Sequence, residues 1–163
     1  PTNTHNVSSA ASDVYKRRIK KNFKVYTAGK VWHQDKFKVL RDEKGYNVKA
    51  RWIDLTDDCD IVQNDKPTLW KMCYEDVRDC DFVLLYCEDQ NEEQRGALVE
   101  LGMAYGFGKP VYAVGTCKTI QPTKISDVAF THYKDFYWLP TADLEVGYKM
   151  AINRELNKLR KVG

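Results

Sequence analysis

The stretch DFVLLYCEDQNEEQRGALVELGMAYGFGKPVYAVG, residues 81–115, contains two strand-like segments with a helix-like segment between them. DFVLLYC (81–87) is a continuous apolar run, which is typical of a central parallel strand buried on both faces. RGALVELGMAYGFG (95–108) has the length and apolar content of a helix, and KPVYAVG (109–115) is a second apolar run of strand length. A helix between two buried strands predicts an α/β fold with a mostly parallel sheet.

The rest of the chain also alternates between strand-like and helix-like segments. Short apolar or alternating runs predict strands, and longer runs with apolar residues three or four apart predict helices. The alternation predicts a single-domain Rossmann-like (flavodoxin-like) three-layer sandwich with about five strands. Further strands are predicted in KVYTAG (24–29), NVKARWID (47–54) and FTHYKDFYWLP (130–140), further helices in WHQDKFKVLRDEKG (32–45), PTLWKMCYEDVRDC (67–80) and LEVGYKMAINRELNKLRK (144–161), and irregular segments at 55–66 and 116–129.

Composition and length are those of an ordinary globular domain. The chain has 163 residues, of which 43% are hydrophobic and 30% are charged. A net charge of +3 is too small to predict binding to polymeric nucleic acid. No apolar run reaches the roughly 18 residues that a membrane helix needs, and no secretory signal is evident, so the sequence predicts a cytoplasmic protein that does not bind membranes.

The first 22 residues differ in composition from the rest of the chain. They are small and polar and then basic, which predicts a flexible tail at 1–22 in front of one domain at 23–163. The basic run YKRRIKKNFK (15–24) is interpreted as a solvated approach to the first strand. A nucleic-acid-binding arm is the alternative, and nothing else in the sequence supports it.

Cysteine usage indicates free thiols. The number of cysteines is odd and no C-x-x-C motif occurs, so neither a disulfide framework nor a zinc site is predicted. Buried thiols in a reducing compartment fit the apolar surroundings of most of them. The cysteines are Cys59, Cys73, Cys80, Cys87 and Cys117.

Glu100 is the single acid of an otherwise apolar predicted helix. Its neighbours at helical spacing are Gly96, Ala97, Met103 and Ala104, which form a small apolar face suited to packing on a sheet. A carboxylate in that position must be paired, protonated or directed into a cleft. A cleft fits because ligands of such folds bind beyond the carboxyl ends of the strands. The competing interpretation is a side chain whose stem packs while its carboxylate reaches water, and spacing leaves both open.

The loop that precedes this helix is rich in charge. Its acids Glu88, Asp89, Glu92 and Glu93 are interpreted mostly as a solvated loop face. Arg95, together with the free N–H groups at the helix start, could bind an anion or a hydroxyl group.

Two further strand ends carry candidate binding residues. Gly29 allows close approach of the backbone to a ligand, and Tyr26 or Thr27 offers a hydroxyl group. Trp52 either stacks on a base or belongs to the core, and Asp54 could hold a hydroxyl group. Neither a G-x-G-x-x-G fingerprint nor a P-loop motif occurs.

Four motifs together resemble the nucleoside 2-deoxyribosyltransferase family, whose superfamily includes the 2′-deoxynucleoside 5′-monophosphate N-hydrolases. They are YTAG (26–29), Asp81 at the start of a strand, Gly96 followed by VELGMA (99–104), and GKPV (108–111). The resemblance covers residues 23–115. It implies that Glu100 is the nucleophile, that Tyr26 is an active-site residue and that no metal or other cofactor is used.

The implied chemistry is attack by a carboxylate on the anomeric carbon of a deoxyribosyl group while the base leaves. The sugar then passes from the covalent glycosyl-enzyme to a second base in a transferase, or to water in a hydrolase. Absence of the 2-hydroxyl group makes the oxocarbenium-like transition state easier to reach.

The chain departs from the family pattern at two positions. Where many members have an acid on the helix before the Asp81 strand, this chain has Cys73, and Asp76 lies one turn further along a similar face. Gln94 stands where members have an acid or a hydroxyl residue. Asp76 is therefore predicted to replace the missing acid, and Gln94 to hydrogen-bond the sugar.

The resemblance also implies a homodimer or larger homo-oligomer that acts on a nucleoside or nucleotide. The aromatic run at 130–140 is a candidate interface or lid, or part of the core. A non-catalytic nucleotide-binding or sensor domain on the same fold and a TIR-like NAD hydrolase are the alternative functions. The predicted catalytic residues are Glu100, Tyr26 and Asp76, and the predicted substrate-binding residues are Ala28, Gly29, Trp52, Asp54, Cys73, Glu88, Gln94, Arg95 and Gly96.

Overall fold

A computed structural model of the protein describes residues 23–89, 91–117 and 133–162. Within these ranges, four strands form one all-parallel sheet in the order β1-β2-β3-β4, where about five were predicted. The predicted tail lies outside the described residues. The strands are β1 (Val25–Ala28), β2 (Phe82–Tyr86), β3 (Val111–Val114) and β4 (Phe136–Trp138).

A single parallel bridge extends the sheet beyond β1. Val48 pairs with Val25, whose N–H donates to Asn47 O at 3.0 Å and whose carbonyl accepts the Lys49 N–H at 2.8 Å. The segment that follows β1 in the sequence therefore lies outside β1, and β2 lies on its other side. This is the strand order of a flavodoxin-like sheet, and it confirms the predicted fold class.

Helical segments surround the sheet. The longest helix before β2 forms where the sequence predicts one, and Asp65 caps it by accepting the Thr68 N–H at 3.1 Å, with Pro67 in the first turn. The α-helices are α1 (Gln34–Lys38), α2 (Asp60–Gln63), α3 (Lys66–Asp79), α4 (Arg95–Gly106) and α5 (Leu144–Val162). The 3-10 helices are Val31–His33 and Arg51–Asp54, and Val39–Glu43 is a π-helix.

The alternation of strand side chains shows that the helices cover both faces of the sheet. On one face, Tyr26 reaches α4, which packs against α3. On the other face, the Phe82 ring contacts Tyr148 of α5 at 6.4 Å between centroids. The Tyr46 ring contacts Tyr148 at 4.3 Å, so the segment after β1 lies on the α5 face. The result is the predicted three-layer arrangement.

The predicted strand at 47–54 is wrong beyond the bridge at Val48. Residues Arg51–Asp54 form a 3-10 helix with Trp52 and Ile53 buried. The Arg51 N–H donates to Asp76 Oδ2 at 2.8 Å instead of to a neighbouring strand, which ends the sheet pairing there. Residues 55–66, predicted to be irregular, contain the short α2 helix.

The strand at the aromatic run is confirmed at β4, while residues 130–132 of that run lie outside the described part. Gly115 turns the chain at the end of β3 with φ of +73°, and a Cβ there would overlap the Cys87 carbonyl oxygen. The five cysteines all lie within the described ranges and form no disulfide there, and Cys80, Cys87 and Cys117 are buried. Among the described helices, none is both long and apolar enough to cross a membrane.

Candidate active site

The loops after β1 and β2 diverge at the carboxyl edge of the sheet. The chain leaves β1 toward Val48 and leaves β2 toward β3, so β1 and β2 flank the point where the strand order reverses. Ligands of open α/β sheets bind in the crevice at such a point. A cavity of about 520 Å³ lies between these two loops, lined by Lys30, Trp32, Asp89, Asn91, Glu92 and Glu93.

Glu100 lies in the second turn of α4, the helix that follows the second of these loops. Ala97, Leu101 and Ala104 bury one face of α4, and this packing places Glu100 beside β1. The Tyr26 hydroxyl donates to Glu100 Oε1 at 2.5 Å. The carboxylate is therefore paired with a buried tyrosine.

Cys73 on α3 completes this group. Its partly buried thiol interacts with both Tyr26 and Glu100. Burial raises the pKa of Glu100 to about 7, against the hydrogen bonds from Tyr26 and Cys73, which favour the ionised form. Burial and then the Glu100 charge raise the pKa of Cys73 to about 11 and that of Tyr26 well above its ordinary value. Tyr26 and Cys73 are thus protonated donors at neutral pH, where Glu100 titrates.

Asp76 is directed toward a different partner. Its Oδ1 accepts Arg51 Nε at 2.8 Å and its Oδ2 accepts the Arg51 N–H at 2.8 Å, while Arg51 also pairs with Glu75 at 2.9 Å. Burial raises the pKa of Asp76, and the bonds from Arg51 oppose that rise. Asp76 therefore joins α3 to the 3-10 helix at Arg51–Asp54, and its catalytic role stays a prediction.

Glu92 is a buried acid that the sequence interpretation placed on a solvated loop face. Its side chain is only 4% exposed. Oε1 accepts Trp32 Nε1 at 3.2 Å, and Oε2 accepts the Glu88 N–H at 3.1 Å and Gln94 Nε2 at 2.9 Å. His33 Nε2 lies 3.0 Å from Oε1. Four groups from two loops thus converge on this carboxylate.

His33 is the second buried polar residue that sequence reasoning missed. Its Nδ1 accepts the Lys30 N–H at 3.3 Å, and its ring packs edge-on against Tyr86 at 4.8 Å. Burial lowers the pKa of His33, and the charges of Glu92 and Glu88 oppose that shift. A Cβ at Gly29 would lie 3.1 Å from His33 Nδ1, so the close approach expected at Gly29 is made to this imidazole.

The predicted binding residues around α4 differ in their accessibility. Gln94 is buried; its Nε2 also donates to Tyr86 O at 3.3 Å, and its Oε1 has no hydrogen-bond partner among the described residues. Arg95 is 86% exposed and pairs with Glu93 at 2.7 Å. Gly96 is exposed in the first turn. Glu88 pairs with Lys36.

The predicted binding residues outside α4 lie in the core or in surface ion pairs. Trp52 is 9% exposed and donates from Nε1 to Thr27 O at 2.9 Å, which supports its interpretation as a core residue. Asp54 receives two bonds from Arg41, at 2.7 and 2.9 Å. Ala28 is buried at the end of β1. The structure therefore brings Tyr26, Cys73 and Glu100 together.

Comparisons with known proteins find similarity among solved structures. No protein-family model matches the chain, and no curated protein matches it. The chain is similar to the CMP N-glycosidase BcmB of Clostridium botulinum with 14% sequence identity and a TM-score of 0.49, over 80% of this chain and 98% of that chain. No group of three or more His, Cys, Asp and Glu side chains in the described ranges is arranged to hold a metal ion.

Proposed function

We propose that the protein cleaves the N-glycosidic bond of a deoxynucleoside or its 5′-monophosphate, with Glu100 as the nucleophile. The observation that carries this proposal is the 2.5 Å hydrogen bond from Tyr26 to a carboxylate whose pKa is raised to about 7. A carboxylate with few donors around it remains reactive toward an electrophilic carbon. The motifs shared with the deoxyribosyltransferase family support the same role.

The reaction proceeds in two displacements. An ionised oxygen of Glu100 bonds to C1′ of the sugar, the C1′–N bond breaks, and its electron pair leaves on the base nitrogen, which takes a proton from solvent. Water or the nitrogen of a second base then attacks C1′ and releases the Glu100 carboxylate. The attacking group gives up its proton to solvent.

Tyr26 orients the nucleophile and stabilises its ionised form. The tyrosine is buried within β1, and its hydroxyl keeps its proton because its pKa is raised well above the ordinary value. It therefore donates to Glu100 throughout the cycle. Hydrogen bonds that favour the carboxylate offset part of the burial that disfavours it.

The charge of the crevice favours an uncharged nucleoside over a 5′-monophosphate. Lys30 is the basic residue that lines the cavity, against the acids Asp89, Glu92 and Glu93. Arg95, predicted to bind an anion, is already paired with Glu93. A phosphate would meet net negative charge at this edge of the sheet.

Base release is tested with a panel of deoxy- and ribonucleosides, their 5′-monophosphates and NAD, each with and without a free acceptor base. Chromatography separates free base, exchanged nucleoside and nicotinamide. We expect base release or exchange from deoxynucleosides with the unaltered protein, and loss of it in Glu100→Gln. Asp79→Asn, which removes an exposed carboxylate at the amino edge of the sheet, is the matched control.

Three outcomes would contradict the proposal. Undiminished base release by Glu100→Gln would remove Glu100 from the chemistry. Binding of a nucleoside without turnover would favour the non-catalytic nucleotide-binding alternative. Release of nicotinamide from NAD, with no action on deoxynucleosides, would favour the NAD hydrolase.

A further inference from the structure

We propose that Glu92 is a positioning residue, which holds the Trp32 indole as an aromatic wall on which the base of the substrate stacks. The inference rests on the proposed function, because that function supplies the base. It assigns to the acidic loop a role that neither the motif resemblance nor the proposed chemistry uses.

The indole of Trp32 is exposed and anchored at the same time. Its residue is 66% exposed, yet its Nε1 donates to Glu92 Oε1 at 3.2 Å. Rotation about the side-chain bonds would break this bond and leave a buried carboxylate oxygen with one donor fewer. The ring is therefore held in one orientation along the wall of the 520 Å³ cavity.

Glu92 is itself fixed by its other partners. The Glu88 N–H and the Gln94 amide hold Oε2, and His33 Nε2 lies 3.0 Å from Oε1. Trp32 and His33 belong to the loop after β1, whereas Glu88 and Gln94 belong to the loop after β2. One carboxylate thus ties together the two sides of the crevice at the point where the strand order reverses.

The position of this wall suits a nucleobase. A flat aromatic ring accepts any base face by stacking, and a cavity volume of about 520 Å³ is in the range that small-molecule sites have. Lys30 Nζ lies 5.3 Å from the Trp32 ring centroid. This cation–π contact within the loop after β1 also favours the observed orientation of the indole. Gln94, the residue before α4, connects Glu92 to the helix that carries Glu100.

Replacement of Glu92 by Gln is a selective way to break this arrangement. A glutamine has nearly the same shape, but its NH₂ group would face a donor at either position: the Gln94 amide and the Glu88 N–H on one side, or the Trp32 N–H and His33 on the other. One orientation removes the acceptor of the indole, and the other removes the acceptor of the Glu88 N–H, so either one loosens the connection between the indole and the loop after β2, while the α4 helix and Glu100 keep their own contacts.

The experiment is a double-mutant cycle measured by calorimetric titration with the four common 2′-deoxynucleosides. The starting protein carries Glu100→Gln, so that binding is measured without turnover. Trp32→Ala, Glu92→Gln and the pair are compared, with Asp79→Asn as the matched control. We expect Trp32→Ala to raise Kd between about fivefold and about 100-fold, as for loss of one stacked base. Glu92→Gln raises Kd by a smaller factor, and the pair binds no more weakly than Trp32→Ala.

Kinetics with Glu100 intact supply the second readout. Glu92→Gln is expected to raise KM while kcat stays close to that of the unaltered protein, because the group that reacts is not touched. If Glu92→Gln does not fold, the same titration is run on Trp32→Phe, which keeps a smaller aromatic ring and removes the N–H that Glu92 accepts. Trp32→Phe alone is then expected to raise Kd, by less than Trp32→Ala.

Three results would overturn the positioning role. The first is additive effects of Trp32→Ala and Glu92→Gln on the free energy of binding. The second is an unchanged Kd in Glu92→Gln or Trp32→Phe, and the third is a loss of kcat in Glu92→Gln as large as the rise in KM. Failure of the proposed function gives a different pattern, in which deoxynucleosides bind and the cycle is non-additive but the unaltered protein releases no base. If the unaltered protein releases base but the two substitutions act additively on binding, this inference is wrong and the proposed function is still supported. Absence of any binding would overturn both.

Discussion

Two glutamates at the carboxyl edge of the sheet have opposite surroundings. Glu92 is almost completely buried and accepts three hydrogen bonds, from Trp32, Glu88 and Gln94. Glu100 is partly buried and has the Tyr26 hydroxyl and the Cys73 thiol as its donors, and its pKa is raised to about 7. Carboxylates that are fully satisfied hold structure together, whereas those short of donors retain the capacity to react.

The comparison shows that burial alone does not identify a functional acid. Glu92 has more partners than Glu100, and these partners come from two loops whose geometry it fixes. The partners of Glu100 come from β1 and α3, both packed against α4. A rigid scaffold around a poorly satisfied carboxylate is the arrangement that nucleophilic catalysis requires.

The largest expected effect is on kcat, and it distinguishes Glu100, which is proposed to react, from Glu92, which is proposed to position the base. Glu100→Gln is expected to lower kcat for base release by at least about 1,000-fold while deoxynucleoside binding persists, because the nucleophile is lost. Glu92→Gln is expected to change KM with little change in kcat. Steady-state kinetics and titration on the same preparations measure both; a reversed pattern would exchange the roles assigned to the two residues.

Removal of the Tyr26 hydroxyl has the next largest expected effect. Tyr26→Phe deletes a hydrogen bond to a charged group, worth roughly 1.5–3 kcal/mol, so activity at pH 7 is expected to fall by about 10- to 100-fold. The pKa of Glu100 rises further, and the ascending limb of kcat/KM against pH moves to higher pH. Tyr74→Phe, at a partly exposed tyrosine of α3, is the control. An unmoved limb would show that Tyr26 does not act through Glu100.

Stability supplies a test that does not depend on activity. The pKa of Glu100 is raised from 4.5 to about 7 on folding. As pH rises through this interval, Glu100 loses its proton more readily in the unfolded chain than in the folded protein, so the free energy of unfolding falls. Glu100→Gln is therefore expected to be more stable than the unaltered protein above pH 7 by about 2 kcal/mol, less than the full shift because the side chain is partly exposed.

Denaturant unfolding at several pH values measures this difference. Glu93→Gln, at an exposed acid of the preceding loop, is the matched control. The difference between Glu100→Gln and the unaltered protein should shrink toward pH 4. A constant difference across this range would contradict the raised pKa.

Cys73 is expected to have the smallest effect. Its thiol favours the ionised form of Glu100, so Cys73→Ala should move the ascending pH limb upward by less than about one unit and lower activity at pH 7 by a few-fold. Cys59→Ala, at a partly exposed cysteine, is the control. Loss of activity comparable to that of Glu100→Gln would show that Cys73 takes a direct part in the chemistry.

Much of the fold could be predicted because its central strands are continuous apolar runs. The strands at Val25–Ala28, Phe82–Tyr86 and Val111–Val114 have every residue buried, and this pattern has few alternatives in a chain of this length. Residues 47–54 show why weaker patterns fail. Their alternation also fits a 3-10 helix with one buried side, and a long-range bond from Arg51 to Asp76 decides between the two.

The candidate site was predictable only in part, because some of its residues are placed by contacts with distant parts of the chain. Glu100 stands out as a lone acid in an apolar helix. Glu92 resembles the other acids of its loop, and its burial depends on Trp32 and His33, which lie about 60 residues earlier in the chain. Contacts over such separations leave no local signature in one sequence.

The central claim, a covalent sugar on Glu100, is tested most directly by mass spectrometry. The unaltered protein is mixed with the deoxynucleoside from which it releases base fastest, denatured within the first turnovers, digested and sequenced by fragmentation. A mass increase of one deoxyribosyl group on the peptide that contains Glu100, absent from Glu100→Gln, is the predicted result. Base release with the sugar attached to another residue would contradict the account.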